Sequence, residues 1–122
     1  MRVLVLDDHA DTVDVLSTLL EMWGHQVRPL KDSQTAVAAA LEFQPHAALI
    51  DIGMPAVSGY DVARALRRQT ALNGVRLIAV TGFGRAEDRR RTREAGFDHH
   101  LLKPIDPSEL RLLLEAPPLP QP

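Results

Sequence analysis

Short aliphatic runs recur along the chain between longer stretches of helical period, and this alternation constrains the fold more than any other feature. Val3-Leu4-Val5-Leu6, Ala47-Ala48-Leu49-Ile50 and Val75-Arg76-Leu77-Ile78-Ala79-Val80 each read as a strand buried on both faces. The run His25 to Leu30 is a weaker strand, which Pro29 confines to a sheet edge or shortens. A helix is predicted over 10–22, where Val13, Leu16, Leu20 and Trp23 recur at helical spacing and Gly24 supplies the stop. A second runs over 33–43, with Ser33 as N-cap, Val37, Ala40 and Leu41 inward, and Pro45 as terminator. A third spans 57–69, with Tyr60, Ala63 and Leu66 inward and Asn73-Gly74 as the turn beyond it.

The fourth helix, 86–95, is nearly all charged; its only apolar members are Ala86 and Ala95, which predicts weak anchoring. After Gly96 a short strand, His99 to Lys103, precedes Pro104. Asp106-Pro107-Ser108-Glu109 then opens a last helix with a cap, a first-turn proline and a capping-box glutamate, and Leu110, Leu113 and Leu114 form its buried side. Strand and helix thus alternate five times. Right-handed crossovers turn that order into an α/β domain, an open doubly wound parallel sheet with helices on both faces.

At 122 residues there is room for one domain, expected over 1–115, followed by a proline-rich tail or linker over 116–122 that holds four of the nine prolines in its last six residues. The absence of cysteine excludes thiol catalysis, cysteine zinc sites and dithiol redox chemistry. A formal net charge of −2 gives no global field for a nucleic-acid backbone, and 4% aromatic residues offer no platform for stacking bases, so no nucleic-acid partner is expected. Only the four-residue apolar run Val3 to Leu6 leads up to Asp7-Asp8, too short for a signal peptide or a membrane span, so the expectation is a cytoplasmic protein without membrane insertion.

In an open α/β sheet the ligand site lies beyond the carboxyl ends of the strands. Those ends carry Asp7-Asp8, Asp51, Thr81 and Lys103. Three carboxylates that close repel one another unless a cation intervenes, and an all-oxygen site suits a hard divalent ion, Mg²⁺ with Mn²⁺ as an alternative. With Thr81 to donate a hydrogen bond and Lys103 to neutralise charge, this is a phosphoryl-transfer site with Asp51 as acceptor. Singly each residue has an ordinary reading: Asp7 and Asp8 as helix-capping acids, Asp51 as a turn former, Thr81 as a strand residue, Lys103 as a solvated side chain. Their joint placement at the strand ends carries the functional one. His9, next to the acidic pair, reads more simply as a solvated loop histidine than as a metal ligand.

These residues resemble the signature of a response-regulator receiver domain of two-component phosphorelay signalling over about residues 1–115: Val5-Leu6-Asp7-Asp8, then Leu49-Ile50-Asp51-Ile52-Gly53-Met54-Pro55 with Gly59, then Val80-Thr81-Gly82, then Gly96-Phe97-Asp98 leading to Leu102-Lys103-Pro104. The resemblance implies a flavodoxin-like (βα)5 sheet of order 2-1-3-4-5. It also implies that Asp51 takes a phosphoryl group from a phosphohistidine on a histidine kinase or histidine phosphotransfer protein. Asp8, Asp51 and the Gly53 carbonyl would ligate Mg²⁺ with Asp7 assisting, while Thr81 and Lys103 would bind phosphoryl oxygens. Such a domain catalyses its own phosphorylation without being a turnover enzyme.

The resemblance further places a partner-binding face at 86–114 and a switch position, commonly aromatic, at His100. Gly53 and Phe83 stand where other members carry amide or acidic side chains that help orient a hydrolytic water, so slow self-dephosphorylation is expected. Five arginines over Arg85 to Arg93 make an acidic partner the natural complement of that face. The context is either a stand-alone receiver or one from a hybrid histidine kinase, whose receivers the stretch Glu94 to Pro107 most resembles, and no output domain is expected within these residues. Rival readings are a phosphorylation-independent interaction module on the same fold and a Mg²⁺-dependent aspartyl phosphatase; a flavodoxin-like cofactor binder is disfavoured because Asp7-Asp8 would repel a bound phosphate.

Overall fold

In the computed structural model, which describes residues 1–54, 57–82 and 86–115, strand and helix alternate as the sequence predicts. The elements are β1 (Arg2–Leu6), α1 (Ala10–Met22), β2 (Gln26–Leu30), α2 (Ala36–Phe43), β3 (Ala47–Asp51), α3 (Gly59–Arg67), β4 (Arg76–Thr81), α4 (Ala86–Ala95), β5 (His99–Leu102) and α5 (Pro107–Glu115). All strand pairs are parallel, in the order β2-β1-β3-β4-β5. Pro29 does lie on an edge strand, opposite Val5. The expectations for Pro55, for Phe83, Gly84 and Arg85, and for the tail 116–122 lie outside the described residues.

Side chains alternate between the two faces of the sheet and build two cores. Leu4, Leu6, Ala48, Ile50, Leu77 and Ala79 pack with α2 and α3, while Val3, Val5, Leu49, Ile78, Val80 and Leu101 pack with Leu16 and Leu20 of α1 and Leu110 and Leu114 of α5. The central strands are thus covered on both sides, as expected of a parallel sheet. Gly24 follows α1 at φ +92°, a C-terminal stop that a side chain would strain.

Two local expectations need correction. Ser33 does not cap α2: Asp32 accepts the Gln34 N–H at 2.9 Å and opens a 3-10 turn over Ser33–Thr35, and the α-helix starts only at Ala36. The buried face of α2 is accordingly Ala36, Ala39 and Ala40, with Val37 half-buried and Leu41 outward at 37% exposure.

At the amino ends of the strands, arginines tie the layers together. Arg67 donates from Nε to Gly96 O at 2.9 Å, from Nη1 to Val75 O at 2.8 Å and from Nη2 to Asp98 Oδ2 at 2.8 Å, joining α3 to the turn before β5 and to the start of β4. Arg76 Nη1 donates to the carbonyls of Leu113 and Leu114, which closes the end of α5.

Histidines near this end make the fold pH-sensitive. Burial, with Arg76 adding to it, holds the His99 imidazole below its ordinary value, and its buried Nε2 has no hydrogen-bond partner among the described residues. Burial lowers His25 and His46 as well. The folded state therefore takes up fewer protons than the unfolded chain as pH falls below about 6.5, so their contribution is present above that pH and lost below it. The urea midpoint is expected to fall between about pH 7.5 and pH 5.5, and to fall less in His99→Gln. Equal falls in the two proteins would remove His99 from this account.

Candidate functional site

Strand register brings the predicted residues together. Leu6 pairs with Ile50, Asp51 with Val80, and Thr81 with Leu102, so the next residue along β1 and the last residues of β3 and β4 reach the same level as Lys103. The Lys103 N–H bonds Thr81 O at 2.8 Å and the Asp7 N–H bonds Leu30 O at 3.1 Å, which fixes both chain exits. The Lys103–Pro104 peptide is cis. Gly59 lets α3 start hard against β3: a Cβ there would stand 2.6 Å from the Asp51 carbonyl oxygen and 2.7 Å from Ile52 Cα. Its N–H donates to Ile52 O at 3.2 Å.

Asp7, Asp51 and Thr81 are 2%, 5% and 4% exposed, so two carboxylates and a hydroxyl are almost wholly withdrawn from water. Lys103 Nζ lies 3.3 Å from Asp51 Oδ1 and 3.7 Å from Asp7 Oδ2 and is the ammonium of the crevice. Asp51 Oδ1 also accepts the Gly53 N–H at 3.1 Å, and Gly53 itself is exposed at the rim. Asp8 is exposed at the mouth. All five predicted polar side chains thus lie at one end of the sheet, with Asp7, Asp8, Asp51 and Lys103 in one cluster.

His9 is exposed, as expected of a solvated loop histidine, but its ring makes specific contacts. Its N–H donates to Asp7 Oδ1 at 2.9 Å, and its ring folds back so that Nδ1 stands 3.1 Å from Asp7 Oδ1 and 3.2 Å from Asp8 Oδ1. The hydrogen bond to Asp7, reinforced by the Asp8 charge, raises the His9 imidazole above its ordinary value. The position beside two acids was visible in the sequence; the ring direction was not.

A divalent cation fits this donor set. One ligand atom each from Asp7, Asp8, His9 and Asp51 lie within 4.8 Å of one another. Opposite ligands of an octahedral ion at about 2.1 Å would be about 4.2 Å apart, so the group is of the size a divalent ion spans. Hard carboxylate oxygens suit Mg²⁺.

On β5, His100 is half-buried and its Nδ1 is 3.4 Å from Thr92 Oγ1. Thr92, 3% exposed, also donates from Oγ1 to Arg89 O at 2.8 Å. Together with buried Ala95 and with Arg91, whose guanidinium lies 4.5 Å from the Tyr60 ring centre, it anchors α4. Sequence reasoning missed this anchor because a threonine and an arginine do not register as apolar.

A family model for the response regulator receiver domain matches residues 3–115. The chain belongs to this family. Among curated relatives the receiver is 31% identical over 115 residues to a DNA-binding dual master transcriptional regulator, RpaA, of Synechocystis, covering 94% of this chain and 48% of that protein. The chain spans about half the length of most of the curated relatives it matches. Its fold is that of chemotaxis protein CheY4 of Vibrio cholerae, at TM-score 0.88 and 24% identity over 93% of this chain and 95% of that one. At 29% identity and TM-score 0.85, over 93% of each chain, it also resembles the receiver domain of sensor histidine kinase PA1611 of Pseudomonas aeruginosa, which was solved with a magnesium ion coordinated in its active-site cleft. Among the described residues, no helix of this receiver is long and apolar enough to cross a membrane.

The crowding of like charge has a measurable cost. In metal-free buffer Asp51→Asn is expected to raise the free energy of unfolding by on the order of 1 kcal/mol, since one of three mutually repelling carboxylates is neutralised. A variant less stable than its parent by urea unfolding would mean that the Lys103 contact outweighs the repulsion.

Proposed function

We propose that this receiver accepts a phosphoryl group on Asp51 from a phosphohistidine of a histidine kinase or histidine phosphotransfer protein, with Mg²⁺, or alternatively Mn²⁺, as cofactor. The observation that carries this reading is Lys103 Nζ, 3.3 Å from Asp51 Oδ1 and 3.7 Å from Asp7 Oδ2, inside a crevice of buried carboxylates. A carboxylate oxygen of Asp51 forms the bond to phosphorus, the phosphorus–nitrogen bond breaks, and its electron pair returns to the donor imidazole. Lys103 neutralises one phosphoryl oxygen and the Thr81 hydroxyl donates to another. Asp8, Asp51 and the Gly53 carbonyl would hold the cation with Asp7 assisting, and a cation bound there would neutralise charge on the phosphoryl oxygens.

The product stays on the protein, so this is a self-phosphorylating signalling domain and not a turnover enzyme. We place it in the cytoplasm. Charge gained at Asp51 draws Thr81 inward, and the shift reaches α4 and the 86–114 face, where a downstream protein binds. Thr92 and His100 lie on that route.

Incubation with Mg²⁺ and acetyl phosphate is expected to add one phosphoryl group by intact mass, and Asp51→Asn to abolish the adduct. Steady turnover of small phosphate esters would instead favour an aspartyl phosphatase. Absence of any Asp51-dependent adduct would favour a phosphorylation-independent interaction module.

The phosphoryl group is expected to be long-lived, because Gly53 puts no side chain over Asp51 and Phe83, two residues after Thr81, brings no polar group to orient water. A Gly53→Asn, Phe83→Glu double variant should lose its label several-fold faster in a decay assay. Equal or slower loss would defeat this explanation.

A further inference from the structure

We infer that His9 supplies a nitrogen ligand to the cation site, one that Mg²⁺ leaves unused and that borderline transition ions such as Ni²⁺ and Zn²⁺ take. The inference rests on the metal-binding part of the proposed function. It begins from the fold-back of the ring: although His9 is largely exposed and could point into water, Nδ1 lies 3.1 Å from Asp7 Oδ1 and 3.2 Å from Asp8 Oδ1. An atom equidistant from oxygens of two adjacent carboxylates stands where a cation held by both would meet it. One ligand atom each of Asp7, Asp8, His9 and Asp51 lie within 4.8 Å of one another.

Ligand chemistry then separates the ions. Mg²⁺ is hard, prefers oxygen and keeps several waters, so loss of one imidazole changes little. Ni²⁺ and Zn²⁺ bind imidazole well and lie higher in the affinity order for mixed nitrogen and oxygen sites. His9 therefore widens the range of ions the crevice accepts. Because Asp8 and Asp51 belong to both ligand sets, a transition ion competes with Mg²⁺ for the phosphoacceptor itself.

The test is calorimetric titration of the metal-free protein with Ni²⁺ and, separately, Mg²⁺. It is run in a His25→Ala background, because the Met1 amine and His25 Nδ1, 3.2 Å apart at the far end of the sheet, form a second nitrogen pair. Adding His9→Ala is expected to weaken Ni²⁺ binding roughly tenfold or more while Mg²⁺ affinity changes less than about twofold. Adding Asp8→Asn should weaken both. In parallel, Zn²⁺ but not Mg²⁺ should shift the His9 ring-nitrogen resonance in the parent protein. Unchanged Ni²⁺ affinity in the His9 variant, or equal losses for both ions, would overturn the ligand role and leave the phosphoacceptor reading intact. Failure of Mg²⁺ itself to bind the parent would overturn both.

Discussion

Two buried carboxylates facing one ammonium set the terms for everything else in this domain. Asp7 and Asp51 are nearly inaccessible to water, and among the described residues Lys103 is the one ammonium within reach of both. Desolvated charge of one sign is costly unless it is paired, and here the pairing is incomplete. The site is thus poised to gain from an added cation, and any phosphoryl group arriving at Asp51 inherits a lysine already turned toward it. Folding must hold this arrangement together with the apolar packing of both faces of the sheet.

That packing is distributed unevenly along the strands. At the amino ends, hydrogen bonds from Arg67 and Arg76 lock α3, α5 and the entrances to β4 and β5. At the carboxyl ends, among the described residues, Lys103 pairs with Asp7 and Asp51, and backbone bonds such as Lys103 N–H to Thr81 O fix the chain exits. Rigidity at one end and electrostatic poise at the other is the division of labour expected where a rigid scaffold presents a site built on its loops.

Much of this was legible in the chain itself. Doubly apolar runs gave the parallel sheet, and the residues ending those runs gave Asp7, Asp51, Thr81 and Lys103, because strand ends and ligand sites coincide in such sheets. What escaped was decided by tertiary context. A 3-10 turn capped by Asp32 displaced the start of α2 and rotated Leu41 outward, since alanines fit the crowded interface against the sheet better. Thr92 became a core residue by satisfying its own hydroxyl, bonding Arg89 O within its helix. The ring direction of His9 depends on two neighbouring carboxylates whose positions only the fold determines.

The stacking of Arg91 on Tyr60 has a mechanical side. A hydrogen bond loses most of its strength within half an ångström of misplacement, whereas a guanidinium remains attracted to a ring face out to about 6 Å from its centre. Starting from 4.5 Å, this contact would survive about an ångström of displacement between α4 and α3. A helix held mainly by one small buried face and one cation on an aromatic ring is fastened against leaving but not against moving.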